Sequence, residues 1–387
     1  MIVKNEANII LKNLQNLVKY IDSWVISDTG STDGTQDIIR KFFKTHNMPG
    51  ILHESKWVNF GYNRTEVFRI ADAKIKCDFY FVMDADDEFV GPDDIFGNLD
   101  NTIGEYRLDL QLSNLKYKRS QIFNAKLKWR YVGVLHEYPT CEGAKTIKDL
   151  DNAYIIARCC GNRSNNGDTK YRDDAKILLK GIQDEPDNDR YYFYLANSYF
   201  DAKDYKNAII YYNKRISMKR WDQEVYWSMY NKGLAKKNLK HDIKEVIQQF
   251  IAAYEFRPTR LEALYEVVLY YREKSNHVLG YAYAMRAYNT YKLYPKDSLF
   301  VRDDIHTYKF MDELAICSYY VDNHILSYKL NKYLLDIHPN KQHIINNMKF
   351  SITSLQNLKH DIKDIINKKN LMNSYSQAIS NMKGDMG

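Results

Sequence analysis

The feature that most constrains the fold is an apolar run at residues 79–83 that ends in four acids within five positions, 84–88. A continuous apolar run of this length is typical of a strand buried on both faces of a sheet. It closes a series of short apolar runs that alternate with segments of helical periodicity. In chain order these lie at 1–3, 6–20, 23–28, 35–45, 51–54 and 64–76. The alternation predicts an α/β fold with an open, mostly parallel sheet and helices on both faces.

Polar clusters follow two of these runs, at residues 28–33 and 84–88. Ligands of open α/β sheets bind beyond the carboxyl ends of the strands, so both clusters are candidate site segments. Adjacent carboxylates repel one another, and a divalent cation such as Mg²⁺ or Mn²⁺ would relieve that repulsion. A solvated acidic turn remains the alternative for the second cluster.

From residue 105 the apolar residues alternate with period two, which predicts strands there and at 121–123, 129–135 and 154–159. The strand at 129–135 ends in His136 and Glu137. An imidazole beside a carboxylate at a strand end could supply a metal ligand and a general base. An ordinary polar strand end is the alternative.

Taken together, these motifs resemble family 2 glycosyltransferases of the GT-A fold, over about the first 140 residues. That family usually has a few strand residues before its first motif, which here stands at residue 1. The matching stretches are MIVKNEA (1–7), VISDTGSTDGT (25–35), NR (63–64), FVMDADDEF (81–89) and GVLHEY (133–138).

The resemblance implies a nucleotide-sugar site, with Asp28 contacting the base or ribose and Arg64 pairing with the pyrophosphate. An N-cap role for Asp28 and an ordinary ion pair for Arg64 are the alternatives. The nucleotide-binding residues implied by the matched stretches are Val3, Asn5, Glu6, Asp28, Asp33, Arg64 and Asp84.

The resemblance also implies a DxD motif formed by Asp84 and Asp86. Asp86 would coordinate Mn²⁺ or Mg²⁺ and act in catalysis, Asp84 would contact ribose or metal-bound water, and His136 would be a third metal ligand. For an inverting transfer, Glu137 would be the catalytic base that takes the acceptor's proton, with Asp87 or Glu88 as alternatives. Trp57 would stack on a sugar or base, or else belong to the core.

The second half has a different composition: 11 of 16 Gly lie at or before Gly167, whereas 25 of 33 Tyr follow position 170. Pro186, Pro258, Pro295 and Pro339 are spaced by 72, 37 and 44 residues, close to multiples of a tetratricopeptide-like period. We therefore predict a GT-A catalytic domain at 1–165 and an all-α, TPR-like helical-repeat domain at 166–387. The Tyr-rich helix faces would pack the solenoid, or receive an acceptor peptide or a second subunit.

Composition excludes several classes of protein. The sequence has no apolar run of about 18 residues and no signal-like start, so we expect a cytoplasmic protein without a membrane span. Five Cys without a CxxC pair argue against a disulfide framework or a structural zinc site. The net charge of +7 is spread over the second half among interspersed acids, which does not favour nucleic acid as a partner.

The sequence thus predicts a metal-dependent, inverting glycosyltransferase of the hexosyltransferase type. It would move a sugar from a nucleotide-diphosphate donor, a UDP-sugar, to a protein, peptide or glycan, and could dimerise through its repeats. The alternative is a catalytically inactive, TPR-type scaffold that retains a nucleotide-sugar-binding domain.

Overall fold

The computed structural model describes most of the chain and divides it into two compact units, Met1–Ala202 and Lys203–Gly387. The predicted domain boundary at 165/166 lies outside the described residues and stays a prediction. The described residues are 1–112, 115–143, 146–158, 160–161, 167–288 and 295–357.

The first unit combines ten strands with five α-helices and a short 3₁₀-helix at Ile95–Asn98, counted over the described residues. The strands are β1 (Ile2–Val3), β2 (Trp24–Asp28), β3 (Gly50–Glu54), β4 (Phe79–Phe81), β5 (Asp87–Val90), β6 (Glu105–Leu112), β7 (Leu115–Asn124), β8 (Trp129–Val132), β9 (Tyr138–Cys141) and β10 (Ile147–Ala157). The α-helices are α1 (Ile10–Leu17), α2 (Thr35–Thr45), α3 (Phe60–Lys74), α4 (Gly167–Asp184) and α5 (Asp189–Asp201).

The strands form a three-stranded parallel sheet, β1-β2-β3, a five-stranded sheet, β4-β7-β6-β10-β5, and the hairpin β8-β9. The predicted α/β fold with a mixed sheet is confirmed. The expectation of mostly parallel pairing holds for β1-β2-β3 and for β6-β10, but β4-β7, β6-β7 and β5-β10 are antiparallel. The period-two alternation of β6 fits its antiparallel pairing with β7. Strand β4, expected from its apolar run to be buried on both faces, is instead half-buried at the edge of the five-stranded sheet and pairs antiparallel with β7.

Helix α2 shows how the local sequence builds this unit. Its apolar residues Ile39, Phe42 and Phe43 recur at spacings of three and four, so they lie on one face and are buried. They join a core cluster with Val3 and Ile26 from the parallel sheet. Helix α2 therefore packs against β1 and β2 and supports the strand ends that carry the polar residues.

Two predicted boundaries are wrong for identifiable reasons. Helix α3 begins at Phe60, a turn before the predicted residue 64, because the Asn59 side chain caps it by accepting the Tyr62 N–H at 2.8 Å. Strand β4 ends at Phe81, two residues before the predicted end. Asp87 and Glu88 are not in a turn but begin β5, which pairs with β10.

The second unit is all-helical over the residues that the structure describes. Its α-helices are α6 (Tyr205–Ser217), α7 (Asp222–Asn238), α8 (Ile243–Phe256), α9 (Glu262–Glu273), α10 (His277–Tyr288), α11 (Phe310–Tyr320), α12 (His324–Ile337) and α13 (Gln342–Asn357), with a π-helix at Ile305–Lys309. Pro258 and Pro339 come shortly after the ends of α8 and α12, as predicted for a proline that closes a helix. No proline stands between α6 and α7, so the prediction does not hold for every second helix. Most of the buried residues of these helices belong to one core cluster, in which Tyr226, Tyr230 and Tyr254 take part.

A cavity of about 380 Å³ lies in the first unit between the two larger sheets, where Ile26 of β2 and Phe81 of β4 both line it. Phe68 and Ala71 of α3 close one side and Leu17 of α1 contributes to the lining. None of the helices in the described part of the chain is both long and apolar enough to cross a membrane.

Candidate active site

The buried carboxylate of Asp28 lies at the carboxyl end of β2, in the parallel sheet. Its Oδ1 accepts the backbone N–H groups of Gly30 at 2.9 Å and Ser31 at 2.8 Å. The same oxygen accepts the Gln36 Nε2–H at 3.0 Å. The buried Oδ2 has no hydrogen-bond partner, although Asp28 is only 1% exposed. Buried polar atoms are normally paired, so this oxygen stands out among the groups at the end of β2.

The segment after β1 is tied to the turn after β2. Asn5 has a left-handed backbone (φ +57°); its N–H donates to Ser31 Oγ at 2.8 Å and its Oδ1 accepts the Thr32 N–H at 2.8 Å. The Glu6 N–H donates to Thr35 Oγ1 at 2.9 Å. The structure thus brings Asn5 and Glu6 next to the turn that follows Asp28, although this turn lies more than 20 positions further along the chain. Val3 is buried in β1 directly opposite Asp28.

Asp33, an exposed residue of the turn after β2, also connects this turn to the segment after β1. Its Oδ2 accepts the Ala7 N–H at 2.9 Å, and its Oδ1 accepts the Thr35 hydroxyl at 2.6 Å. Slight burial acts to raise the pKa of Asp33, but the hydrogen bonds from Thr35 and Ala7 outweigh it and lower that pKa overall. Asp33 in this structure therefore holds the two segments together.

Two arginines share the carboxylate of Asp84. Arg64 Nη2 contacts Asp84 Oδ1 at 2.5 Å, and Arg119 Nη2 contacts Asp84 Oδ2 at 3.0 Å. Burial alone would raise the pKa of Asp84, but the two guanidinium groups hold that pKa well below its usual range. Asp84 is therefore an ionised anchor for both arginines.

The next acids of the cluster have different surroundings. Asp86 Oδ2 accepts the Gly161 N–H at 3.0 Å, while Arg158 donates to Glu88 Oε2 from Nη2 at 2.7 Å. Burial, followed by the charges of Asp84 and Asp86, raises the pKa of Asp87 to about 7. A buried Oδ2 of Asp87 has no hydrogen-bond partner.

Glu137 lies in the short connection between β8 and β9, residues 133–137, which we call the Glu137 loop. Its Oε1 accepts from Arg64 Nε at 2.7 Å, so one guanidinium joins Glu137 to Asp84. His136 is exposed, has a left-handed backbone (φ +52°), and stacks its ring on Tyr194 at 3.8 Å. Trp57, half-buried, contacts Phe60 edge to face at 4.7 Å.

The structure therefore joins Arg64, Asp84 and Glu137 in one network, and Asn5, Asp28 and Asp33 in another. It does not group the three predicted metal ligands, Asp84, Asp86 and His136. Among the described residues, no three His, Cys, Asp or Glu side chains are arranged to hold a metal ion. Asp84 is occupied by arginines, whereas the half-exposed Asp86 is suited to a hard cation. The metal site stays a prediction.

Three residues that the sequence reasoning missed contribute to the site. Arg119 pairs with Asp84, and Gly161 donates to Asp86. Asn13 of α1 is buried, and its Nδ2 donates to the backbone oxygens of Asp84 at 3.0 Å and Asp87 at 2.7 Å. Asn13 has a sequence signal, since it is a polar residue on the apolar stripe of α1. Arg119 and Gly161 have none.

The comparison with protein families agrees with this geometry. Residues 1–158 match the family described as glycosyl transferase family 2. This region is a family 2 glycosyl transferase domain. The acid cluster, Arg64 and Glu137 all lie inside the matched glycosyl transferase residues, whereas α4 and α5 lie beyond them. No curated protein matches the chain.

Several solved helical proteins are similar to part of the chain, at low identity and low TM-score. The C-terminal part of a TPR repeat-containing protein from Cytophaga hutchinsonii is 16% identical (TM-score 0.36), with 56% of this chain and 78% of that chain covered. YrrB, described as a TPR protein with an unusual peptide-binding site, is 13% identical (TM-score 0.33), covering 47% and 84%. MamA from Desulfovibrio magneticus RS-1 is 13% identical (TM-score 0.32), covering 44% and 88%.

Proposed function

We propose that this chain is a glycosyltransferase of the hexosyltransferase type that uses a nucleotide-diphosphate donor, a UDP-sugar, and a protein, peptide or glycan acceptor. The observation that carries the proposal is the unpaired, buried Oδ2 of Asp28 within the family-matched domain. An unpaired buried carboxylate oxygen is unfavourable, and an N–H or O–H group of a base or ribose would satisfy it. Val3, Asn5, Glu6 and Asp33 would shape this nucleotide site.

In the proposed reaction Arg64 binds the diphosphate. Its guanidinium contacts Asp84 and Glu137, and these contacts raise its pKa even though burial alone would lower it, so it remains a cation. Its Nε and Nη2 contact Glu137 and Asp84, so its remaining N–H groups would donate to phosphate oxygens. Asp84 would keep Arg64 oriented while the nucleotide diphosphate departs as the leaving group.

The cofactor of the proposal is Mn²⁺ or Mg²⁺, held by Asp86. Asp84 and His136 were the other predicted ligands, but Asp84 pairs with two arginines and the His136 ring stacks on Tyr194. When bound, the ion would neutralise the diphosphate and so stabilise the leaving group. Asp86 would point a hard oxygen ligand at it, and the Gly161 N–H would keep that carboxylate in place.

Glu137 is the proposed catalytic base. A carboxylate facing the acceptor would take the proton of the attacking group while that group bonds to the sugar carbon and the bond to the nucleotide diphosphate breaks on the opposite face. This single displacement would invert the sugar carbon. The ion pair of Glu137 with Arg64 supports this role because it fixes the position of the carboxylate beside the proposed diphosphate site.

Donor binding is the first test. Thermal unfolding and isothermal titration with UDP, UDP-sugars and Mn²⁺ should show a raised melting temperature and binding. Asp28→Asn should weaken UDP binding by about tenfold or more. The amide oxygen would keep the place of Oδ1, which accepts three donors, and the amide nitrogen at the unpaired position cannot accept a hydrogen bond. Asp37→Asn, an exposed residue of α2, is the control and should bind as the wild type does. Equal binding by Asp28→Asn would contradict the Asp28 assignment.

The metal and the base are tested separately. Asp86→Ala should lose Mn²⁺-dependent hydrolysis of the sugar nucleotide, and chelation should do the same to the wild type.

Glu137→Gln should bind donor but fail to transfer the sugar. Unchanged turnover by either variant would remove that residue from its role.

The alternative, an inactive scaffold that retains a nucleotide-sugar-binding domain, predicts no turnover with any nucleotide-sugar even where UDP binds. Turnover assays over a panel of nucleotide-sugars therefore separate the two proposals, and thermal shift with the same panel identifies the donor. A second copy of the chain, joined through the helical repeats, remains a further proposed partner.

A further inference from the structure

One residue of the Glu137 loop has a backbone conformation that its side chain disfavours. His136 has φ +52°, and a left-handed residue other than glycine costs free energy, whereas Gly133 (φ +104°) adopts such angles readily. Such a residue persists only where its surroundings determine the conformation. The contacts made by His136 should therefore decide where the adjacent Glu137 lies.

Those contacts come from helix α5. Arg190 donates to the His136 carbonyl oxygen from Nη2 at 3.1 Å and from Nε at 3.4 Å. Its guanidinium lies over the ring of Tyr194, 4.8 Å from the centroid. The Tyr194 ring in turn stacks on the His136 imidazole at 3.8 Å, nearly parallel. Helix α5 thus holds both the backbone and the side chain of His136.

The other end of the loop is held by close packing. A Cβ on Gly181 of α4 would come within 2.7 Å of the Val134 side chain, so α4 approaches the loop closely. On the opposite side, the Phe60 N–H at the start of α3 donates to the Val134 carbonyl oxygen at 3.2 Å. The loop is therefore fixed between α3, which carries Arg64, and the pair α4 and α5.

We propose that α5 is part of the catalytic machinery, with Arg190 and Tyr194 as positioning residues that hold His136 and thereby aim Glu137 at its substrate. This inference rests on the proposed transfer reaction, in which Glu137 is the base. It extends the catalytic unit beyond residue 158, where the family match ends. A helix outside the matched domain would then control proton removal but not donor binding.

Point variants of the full chain test this inference. Tyr194→Leu removes the ring, Arg190→Gln removes the guanidinium, and Tyr194→Phe keeps the stacking. Tyr320→Leu is the matched control, because Tyr320 stacks on His277 at 4.0 Å in the second unit. Hydrogen exchange of peptides spanning residues 129–141 reports the loop, and steady-state kinetics with titrated donor report kcat for transfer and KM separately.

We expect Tyr194→Leu and Arg190→Gln to exchange faster in the Glu137 loop and to lose about tenfold or more in kcat, with donor KM within about twofold. Tyr194→Phe and Tyr320→Leu should match the wild type in both measurements. Unchanged exchange in both loop variants, or a donor affinity that falls as much as kcat, would overturn the inference. If the wild type transfers no sugar, the proposed function fails, and the exchange data alone still decide whether α5 holds the loop.

Discussion

At the scale of single residues, arginines organise the acid cluster. Arg64 contacts Asp84 and Glu137, and Arg119 contacts the second oxygen of Asp84. Removing one partner from a buried ion network leaves charge without compensation, which costs more than the pair contributes. The network therefore maintains the shape of the site even before any ligand binds.

Arg119→Met should lower the free energy of unfolding by about 2 kcal/mol, because Asp84 Oδ2 loses its partner in a poorly solvated position. Urea denaturation measures this loss. Arg107→Met is the control on the neighbouring strand, since Arg107 forms an exposed pair with Asp149 at 2.8 Å and should cost less than about 0.5 kcal/mol. Equal losses for both variants would contradict a special role for Arg119.

Asp33→Asn should lower stability slightly at neutral pH and lose that difference in acid. The pKa of Asp33 is lowered in the folded state, so its contribution is present above its unfolded pKa and is lost as the pH falls through the folded value. Urea unfolding at pH 7, 5 and 3 should therefore show the difference between wild type and variant narrowing as the pH falls. Asp37→Asn is the exposed control, and a difference that stays constant with pH would argue against the assignment.

At the scale of elements, backbone approach decides how α3 meets the Glu137 loop. A Cβ on Gly61 would come within 2.1 Å of the Gly133 carbonyl oxygen, a contact with rigid backbone. Together with the Asn59 cap, this sets both where α3 begins and how closely Arg64 can approach Glu137. Glycine at this position is required by packing and not by the backbone angles of the helix.

Gly61→Ala should consequently destabilise the protein by about 2 kcal/mol or more, because the helix or the loop must shift. It should also weaken the Arg64–Glu137 pair, which transfer kinetics would report. Gly97→Ala provides the control: nothing lies within 4 Å of its added Cβ, so stability should stay equal or rise slightly. A neutral Gly61→Ala variant would show that the close approach is not required.

At the scale of the whole molecule, the two units are stabilised differently. The first has separate core clusters on its sheets, and the second has a large continuous cluster with buried Tyr. The second unit also buries ion pairs, Arg260 with Glu262 at 2.8 Å and Arg215 with Glu224 at 2.9 Å. The Tyr-rich faces predicted to pack the repeats are thus largely explained by core packing.

The cavity between the sheets of the first unit is a place where packing is incomplete. Ala71→Leu should fill part of it and raise the free energy of unfolding by about 1 kcal/mol. Ala73→Leu, on an exposed face of the same helix, is the control and should change stability little. Urea denaturation distinguishes them, and a loss of stability in Ala71→Leu would mean that the cavity cannot accept the added atoms.

The sequence alone was sufficient for much of the fold. Apolar periodicity predicted helix α2 at its observed bounds, and proline spacing predicted the helix pairs of the second unit. The two polar clusters at strand ends were found in the same way. These signals act over a few residues to a few turns, so they are readable without knowing the topology.

Tertiary structure decided which of these parts meet. Arg119 contacts Asp84 across 35 positions, Gly161 reaches Asp86 across 75, and Arg190 reaches His136 across 54. No local pattern specifies such pairs, because they depend on strand order and on the packing of α4 and α5 against the Glu137 loop. The sequence by itself determined the elements and the chemistry at their ends, while long-range packing decided which charges are paired and which oxygen of Asp28 has no hydrogen-bond partner.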